Sequence, residues 1–81
     1  MVTFRVYIRQ GCHLCEDLLW QLGQLRGSYA FEIVPLDVDS DTKLVEQYGT
    51  EVPVVMYGDR KVCHYFLDMA AIEQILSSTN N

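Results

Sequence analysis

The sequence predicts an α/β domain of order β-α-β-α-β-β-α, with one mixed four-stranded sheet and helices on both faces. Three observations predict it. The period-two run "TFRVYI" gives way to helical spacing at Cys12, the same step recurs from "FEIVPLDV" to "DSDTKLVEQYG", and two short strand patterns then flank "GDRK". Crossover helices demand parallel pairing early, and a tight turn demands antiparallel pairing late.

In the first run, Phe4, Val6 and Ile8 share one face of a strand, because side chains alternate with period two. Gln10-Gly11 ends it. Cys15, Leu18, Leu19, Leu22 and Leu25 then recur at helical intervals, with Gly27 as the stop. In "FEIVPLDV", Pro35 has no N–H for a ladder, so this strand belongs at a sheet edge. The second helix takes Asp39 or Ser40 as its cap and Gly49 just past its end. "VPVVMY" is apolar throughout and reads as a strand buried on both faces. "GDRK" is the turn and "VCHYF" the returning strand. Asp68 caps the last helix, "MAAIEQIL", with Leu67 and Ile72 at the two positions of a hydrophobic staple. "SSTNN" reads as a frayed tail, so residues 1–81 form one domain with 78–81 as its loose end.

An 81-residue chain holds one compact domain, and 49% apolar content suits a globular one. A net charge of −5 argues against nucleic acid or an anionic membrane surface as partner, since both need a basic face. No apolar run approaches the ~20 residues of a membrane span. Three cysteines cannot pair completely, unlike the even count of a small secreted disulfide framework. The first ten residues alternate, with no apolar block before a cleavage site, so no signal peptide is expected and a reducing cytoplasm is the expected compartment. There a cysteine pair is catalytic or metal-binding more often than structural.

The stretch "RQGCHLCEDLLWQL" places Cys12 at the strand-to-helix junction and Cys15 one turn later on the same face. That separation suits a disulfide. The helix N-terminus presents unpaired N–H groups and the positive end of the dipole, which favours thiolate over thiol at Cys12. Thiolate is the attacking species in disulfide exchange. Cys12 is therefore the candidate nucleophile and Cys15 the candidate resolving residue. His13 is either a solvated helix-start residue or an imidazolium that lowers the Cys12 pKa further. Leu14 is an exposed apolar rim contact for a partner, and Trp20 is partly buried packing. Cys63 is read as a small core residue of the last strand. Two alternatives stand beside thiol chemistry. One is a metal or iron–sulfur module drawing on Cys12, Cys15, Cys63 and His64, although adjacent strand residues point to opposite faces. The other is a non-catalytic interaction module.

"YIRQGCHLC" and "EVPVVMYGDRKV" resemble the active-site segment and the T-V-P segment of the glutaredoxins, within the thioredoxin-fold proteins. The resemblance covers roughly residues 2 to 77 and points to a glutaredoxin-like subgroup carrying "GCHLC". It implies a thiol–disulfide oxidoreductase engaged in electron transport, with a cis bond before Pro53 beside the cysteine pair. It also implies a substrate contact at Arg9 and another at the Val52 backbone. The departures are specific. His13-Leu14 stands where most glutaredoxins have Pro-Tyr, and Glu51 replaces a threonine. "CHYFLDMAA" replaces the Gly-Gly and acidic pair that hold one end of glutathione. With Glu16, Asp17 and Glu51 making the surroundings acidic, glutathione is expected to be a poor co-substrate. The expected partner is a disulfide-containing protein or a small thiol. No resident cofactor or metal is expected, and the chain is expected to act as a monomer.

Overall fold

The period-two run at the N-terminus forms β1 (Val2–Ile8), and Cys12 caps α1 (His13–Gln24), which closes in a 3₁₀ turn at Leu25–Gly27. β2 (Phe31–Asp37), a 3₁₀ turn at Val38–Ser40 and α2 (Thr42–Tyr48) follow, then β3 (Val54–Tyr57), β4 (Arg60–His64) and α3 (Met69–Thr79). This computed structural model describes residues 1–79, Thr79 by its backbone alone.

The sheet has four strands in the order β2-β1-β3-β4. β1 and β2 pair in parallel, with Val6 opposite Pro35, while β1–β3 and β3–β4 are antiparallel. Pro35 thus lies in an edge strand, where its missing N–H costs no ladder bond. Alternation along the strands divides the core in two. Phe4, Val6 and Val55 pack with Leu18 and Leu22 of α1 and Ile72 and Leu76 of α3. Tyr7, Val54 and Met56 pack with Val38 and with Tyr48 of α2. Helices therefore cover both faces, and β3 is buried on both, as its apolar run requires. Tyr7 and Tyr48 stack at 4.3 Å between ring centres, an arrangement that adds about 0.5–1.5 kcal/mol to the burial of the rings.

Several local expectations are corrected. Asp41, not Asp39 or Ser40, caps α2: its carboxylate accepts from the Lys43 N–H at 2.9 Å. Asp37 instead holds the Asp39 N–H at 2.9 Å in the intervening 3₁₀ turn, which delays the helix start. Gly49 ends α2 with φ −57°, so left-handed freedom is not the reason for glycine. A Cβ there would stand 2.4 Å from the Val45 carbonyl oxygen and 3.3 Å from Nη2 of Arg9. The hairpin turn is Gly58-Asp59 alone, with Gly58 at φ 59°, and β4 already begins at Arg60. β4 ends at His64, so Tyr65 and Phe66 lie outside the expected strand. Trp20 is 66% exposed rather than packed. The tail is corrected in part: Ser77, Ser78 and Thr79 continue α3, and residues 80–81 lie outside the described residues. Asp68 caps α3 as expected, accepting from the Ala71 N–H at 3.1 Å, and Leu67 packs against the core cluster that holds Ile72. Among the described residues, no helix is long and apolar enough to cross a membrane.

Candidate active site

Gly11 makes the turn out of β1 at φ 72°, a left-handed conformation that a Cβ would penalise. It delivers Cys12 in extended conformation to the N-cap of α1. The Cys12 carbonyl accepts from the Glu16 N–H at 3.1 Å, and its Sγ accepts from the Cys15 N–H at 3.1 Å. The sulfur thus occupies the place of a capping oxygen, among the free N–H groups of the first turn. Cys12 and Cys15 are joined as a disulfide with Cα atoms 5.2 Å apart. Cys12 is half-buried, whereas Cys15 is 2% exposed, on the face of α1 that also buries Leu18 and Leu22. A partner can therefore reach the first sulfur more readily than the second.

The segment before β3 lies at the same end of the sheet. Tyr7 pairs with Val54, so Pro53 follows on beside the end of β1, where the chain leaves for Cys12. The Val52–Pro53 peptide bond is cis. Pro53 is fully buried, and Val52 is half-buried against the Tyr7–Tyr48 cluster. This segment is tied to the chain after β4: the Tyr65 N–H donates to the Pro53 carbonyl at 2.9 Å, and the Tyr65 hydroxyl donates to the Thr50 carbonyl at 2.7 Å. Tyr65 itself has φ 63°, an uncommon conformation for a bulky residue.

The charged groups are partly matched. Glu51 pairs with Lys61 of β4, and this hydrogen bond holds the Glu51 carboxyl below its usual range. Glu51 therefore adds less negative character to the rim than its sequence position suggests, and Glu16 and Asp17 carry more of it. His13 has a 96% exposed side chain and places Nδ1 3.8 Å from Oε2 of Glu16. Arg9 points its guanidinium at α2 and the turn before it: Nε and Nη2 donate to Asp39 at 3.2 and 3.3 Å, and Nη1 donates to the Gly49 carbonyl at 3.3 Å. Leu14 is exposed and lines a groove with Phe66 and Leu67.

The structure thus brings Cys12, His13, Leu14 and Cys15 together at the start of α1, with Val52 and Pro53 at the same sheet end. Arg9 is the residue whose surroundings the sequence did not disclose. Its partner Asp39 is 30 positions away, and only the β1–β2 register and the following turn bring the two together. Tyr65 is the other. Its bulk was visible, but it was expected within the last strand, and its backbone conformation and its two bonds to the segment before β3 were not visible.

Cys63 is buried in the Phe4–Ile72 cluster, and His64 on the opposite face is exposed. Burial pushes the Cys63 thiol up from 9.0, against a smaller lowering by a backbone hydrogen bond from Asp68. Among the described residues, no group of three or more His, Cys, Asp or Glu side chains is arranged to hold a metal ion.

Comparison with known proteins follows the same geometry. Protein Ne2328 from Nitrosomonas europaea, known from a solution structure, superimposes with a TM-score of 0.84 at 36% identity, over 93% of this chain and 91% of that one. The X-ray structure of protein XcR50 from X. campestris gives 0.71 at 28% identity, over 94% and 97%. Thioredoxin 1 from Thermosipho africanus shares the fold at a TM-score of 0.63 and 16% identity, over 98% and 99%. No curated protein matches the chain. The glutaredoxin-like domain (DUF836) matches residues 3–77. With the cysteine pair in place and the thioredoxin-like sheet complete, the chain belongs to this glutaredoxin-like family.

Proposed function

We propose that the protein is a thiol–disulfide oxidoreductase that works through the Cys12–Cys15 pair. One observation carries this reading: the two sulfurs form a disulfide at the N-terminus of α1, the first half-buried and the second buried. In the reduced protein, the Cys12 thiolate attacks one sulfur of a substrate disulfide. A protein–substrate disulfide forms, and the other substrate sulfur leaves as a thiolate that takes a proton from solvent. Cys15, losing its own proton, then attacks Sγ of Cys12 and expels the second substrate sulfur. The substrate gains two electrons and two protons, and the protein is left with its internal disulfide. An external thiol reductant recycles it by the reverse exchange.

The N–H groups of the first turn and the helix dipole stabilise the attacking thiolate. Burial raises the cost of ionising Cys15, which then acts only when a mixed disulfide is close by. Pro53 and the Val52 backbone flank the incoming chain, Leu14 contacts it, and His13 has a minor electrostatic part because its ring is solvated beside Glu16. Arg9 serves mainly to hold the Asp39–Gly49 region. A protein disulfide is preferred to glutathione, in a reducing cytoplasm, with the protein acting as a monomer. The test is a trap: Cys15→Ser protein should accumulate stable mixed disulfides on Cys12, and Cys12→Ser protein none. Equal trapping by both variants would overturn the reading.

A further inference from the structure

We propose that the groove between α1 and the turn at Tyr65–Leu67 is a docking subsite for a polypeptide substrate. It takes an apolar side chain next to the reacting cysteine, with a basic neighbour held by Asp17. The inference rests on the redox reading above and names its substrate class.

The groove is lined from α1 by Leu14, Asp17 and Gln21 over a floor of Leu18, and from the far side by Tyr65, Phe66 and Leu67. Leu14 lies between the two cysteines in sequence, so the groove starts on the first turn of α1, within two residues of each. From Leu14 to Gln21 it follows α1 for about 10 Å at 1.5 Å per residue, the reach of about three extended residues. Its volume is about 90 Å³. That equals the share of about three water molecules, room for one aliphatic side chain. It is well below the roughly 300–1,000 Å³ of sites that enclose a whole small molecule. The groove is open, apolar at Leu14, Phe66 and Leu67 and polar at Asp17 and Gln21: Phe66 is 69% exposed, and Leu14 and Tyr65 are exposed as well.

The far wall is held in place before any partner arrives. Tyr65 keeps its left-handed backbone because its N–H and hydroxyl are both bonded to the Thr50–Pro53 segment. The Phe66 N–H donates to the His64 carbonyl at 2.7 Å, which sets the direction of the next side chain. A wall fixed in this way loses little freedom on binding.

Charge selects the neighbour. Asp17 is exposed and forms no ion pair among the described residues. The cations beside the site are matched already, Arg9 by Asp39 and Lys61 by Glu51. With Glu16 one position before Asp17 and a net charge of −5, the groove favours a Lys or Arg and opposes a carboxylate.

Binding can be read without chemistry. A fluorescently labelled octapeptide with a Leu-Lys pair beside a serine in place of cysteine, and its Leu-Glu counterpart, are titrated at low salt with the oxidised protein. The Lys peptide should bind about fivefold more tightly, the scale of one exposed ion pair. Asp17→Lys should reverse the order, and Phe66→Ser should weaken both peptides about tenfold. Trp20→Ser, outside the groove lining, should change neither. Equal affinities, no binding, or an Asp17→Lys variant that keeps the wild-type preference would overturn the proposal. Reduction of 2-hydroxyethyl disulfide by the same protein, first reduced with dithiothreitol and then freed of it, tests the redox reading separately. Peptide binding without that reduction would fail the oxidoreductase alone, and reduction without peptide preference would fail the groove alone.

Discussion

The Cys15 N–H points at Sγ of Cys12 from 3.1 Å, so the first cysteine caps the helix that carries the second. This geometry separates two otherwise similar thiols. A negative Cys12 sulfur gains a hydrogen bond and the positive end of the dipole, whereas a negative Cys15 sulfur gains only burial.

The order of alkylation should follow in the reduced protein. Dilute iodoacetamide should label Cys12 first, with a midpoint below the free value of about 8.5. Cys15 should follow, and Cys63 should react last or only on unfolding, because burial raises its pKa from 9.0. Mass spectrometry of quenched time points checks the order. His13→Ala should move the Cys12 midpoint little, since the His13 ring is solvated and faces Glu16. Labelling of Cys15 before Cys12 would refute the assignment of roles.

Much of this was legible in the sequence because it rests on local spacing. The step from period two to helical period at Cys12, the apolar run at Val54–Met56 and the Asp68 cap each depend on neighbours a few residues apart. The Arg9–Asp39 and Glu51–Lys61 pairs join positions that only strand pairing brings together. The α2 cap failed for a related reason. Asp37, Asp39, Ser40 and Asp41 are all competent caps, and the choice is made by where β2 stops. Trp20 failed because helical spacing fixes a residue's direction but not whether anything covers it.

Replacing Gly49 tests the Arg9 anchor. A Cβ at this position meets the Val45 carbonyl oxygen at 2.4 Å, backbone that cannot rotate away, and Nη2 of Arg9 at 3.3 Å. Gly49→Ala should therefore destabilise the protein by about 1–3 kcal/mol, the range for overpacking. Arg9→Ala should cost less, about 0.2–1 kcal/mol, because its ion pair is substantially exposed. Urea unfolding with a shared m-value checks both. A Gly49→Ala variant as stable as wild type would show that the end of α2 relaxes freely.

Glu51 gives a pH dependence whose sign follows from its pairing. Its pKa is lowered from 4.5 by the Lys61 hydrogen bond in the folded protein. The unfolded chain therefore binds the proton more readily, and the contribution to stability is present above about pH 4.5 and lost as pH falls through the folded value. Glu51→Gln should lower the unfolding midpoint slightly at pH 7 and leave it unchanged near pH 2. Differential scanning fluorimetry across that range is sufficient. A difference that persists undiminished at low pH would assign the effect to something other than the charge.

Glutathione supplies the sharpest test of partner choice. Aromatic Tyr65 and Phe66 stand in the turn before α3, and the carboxylates beside the pair are Glu16, 3.8 Å from the exposed His13 ring, and Asp17, which forms no ion pair among the described residues. A small anionic thiol meets repulsion there, and the nearby cations Arg9 and Lys61 are already paired with Asp39 and Glu51. Each missing charge-assisted contact removes about 1.5–3 kcal/mol, so one such loss lowers affinity by one to two orders of magnitude. Reduction of a glutathionylated peptide with a Leu-Lys flank should therefore proceed by attack of the Cys12 thiolate on the peptide sulfur, with glutathione leaving as the thiolate, while glutathione alone should recycle the oxidised protein slowly. Replacing both Tyr65 and Phe66 with Gly should lower the rate with the peptide disulfide. It should raise the rate of recycling by glutathione modestly, because the acidic rim remains. Fast recycling of the wild-type protein at millimolar glutathione would show that the aromatic turn does not govern access to the pair.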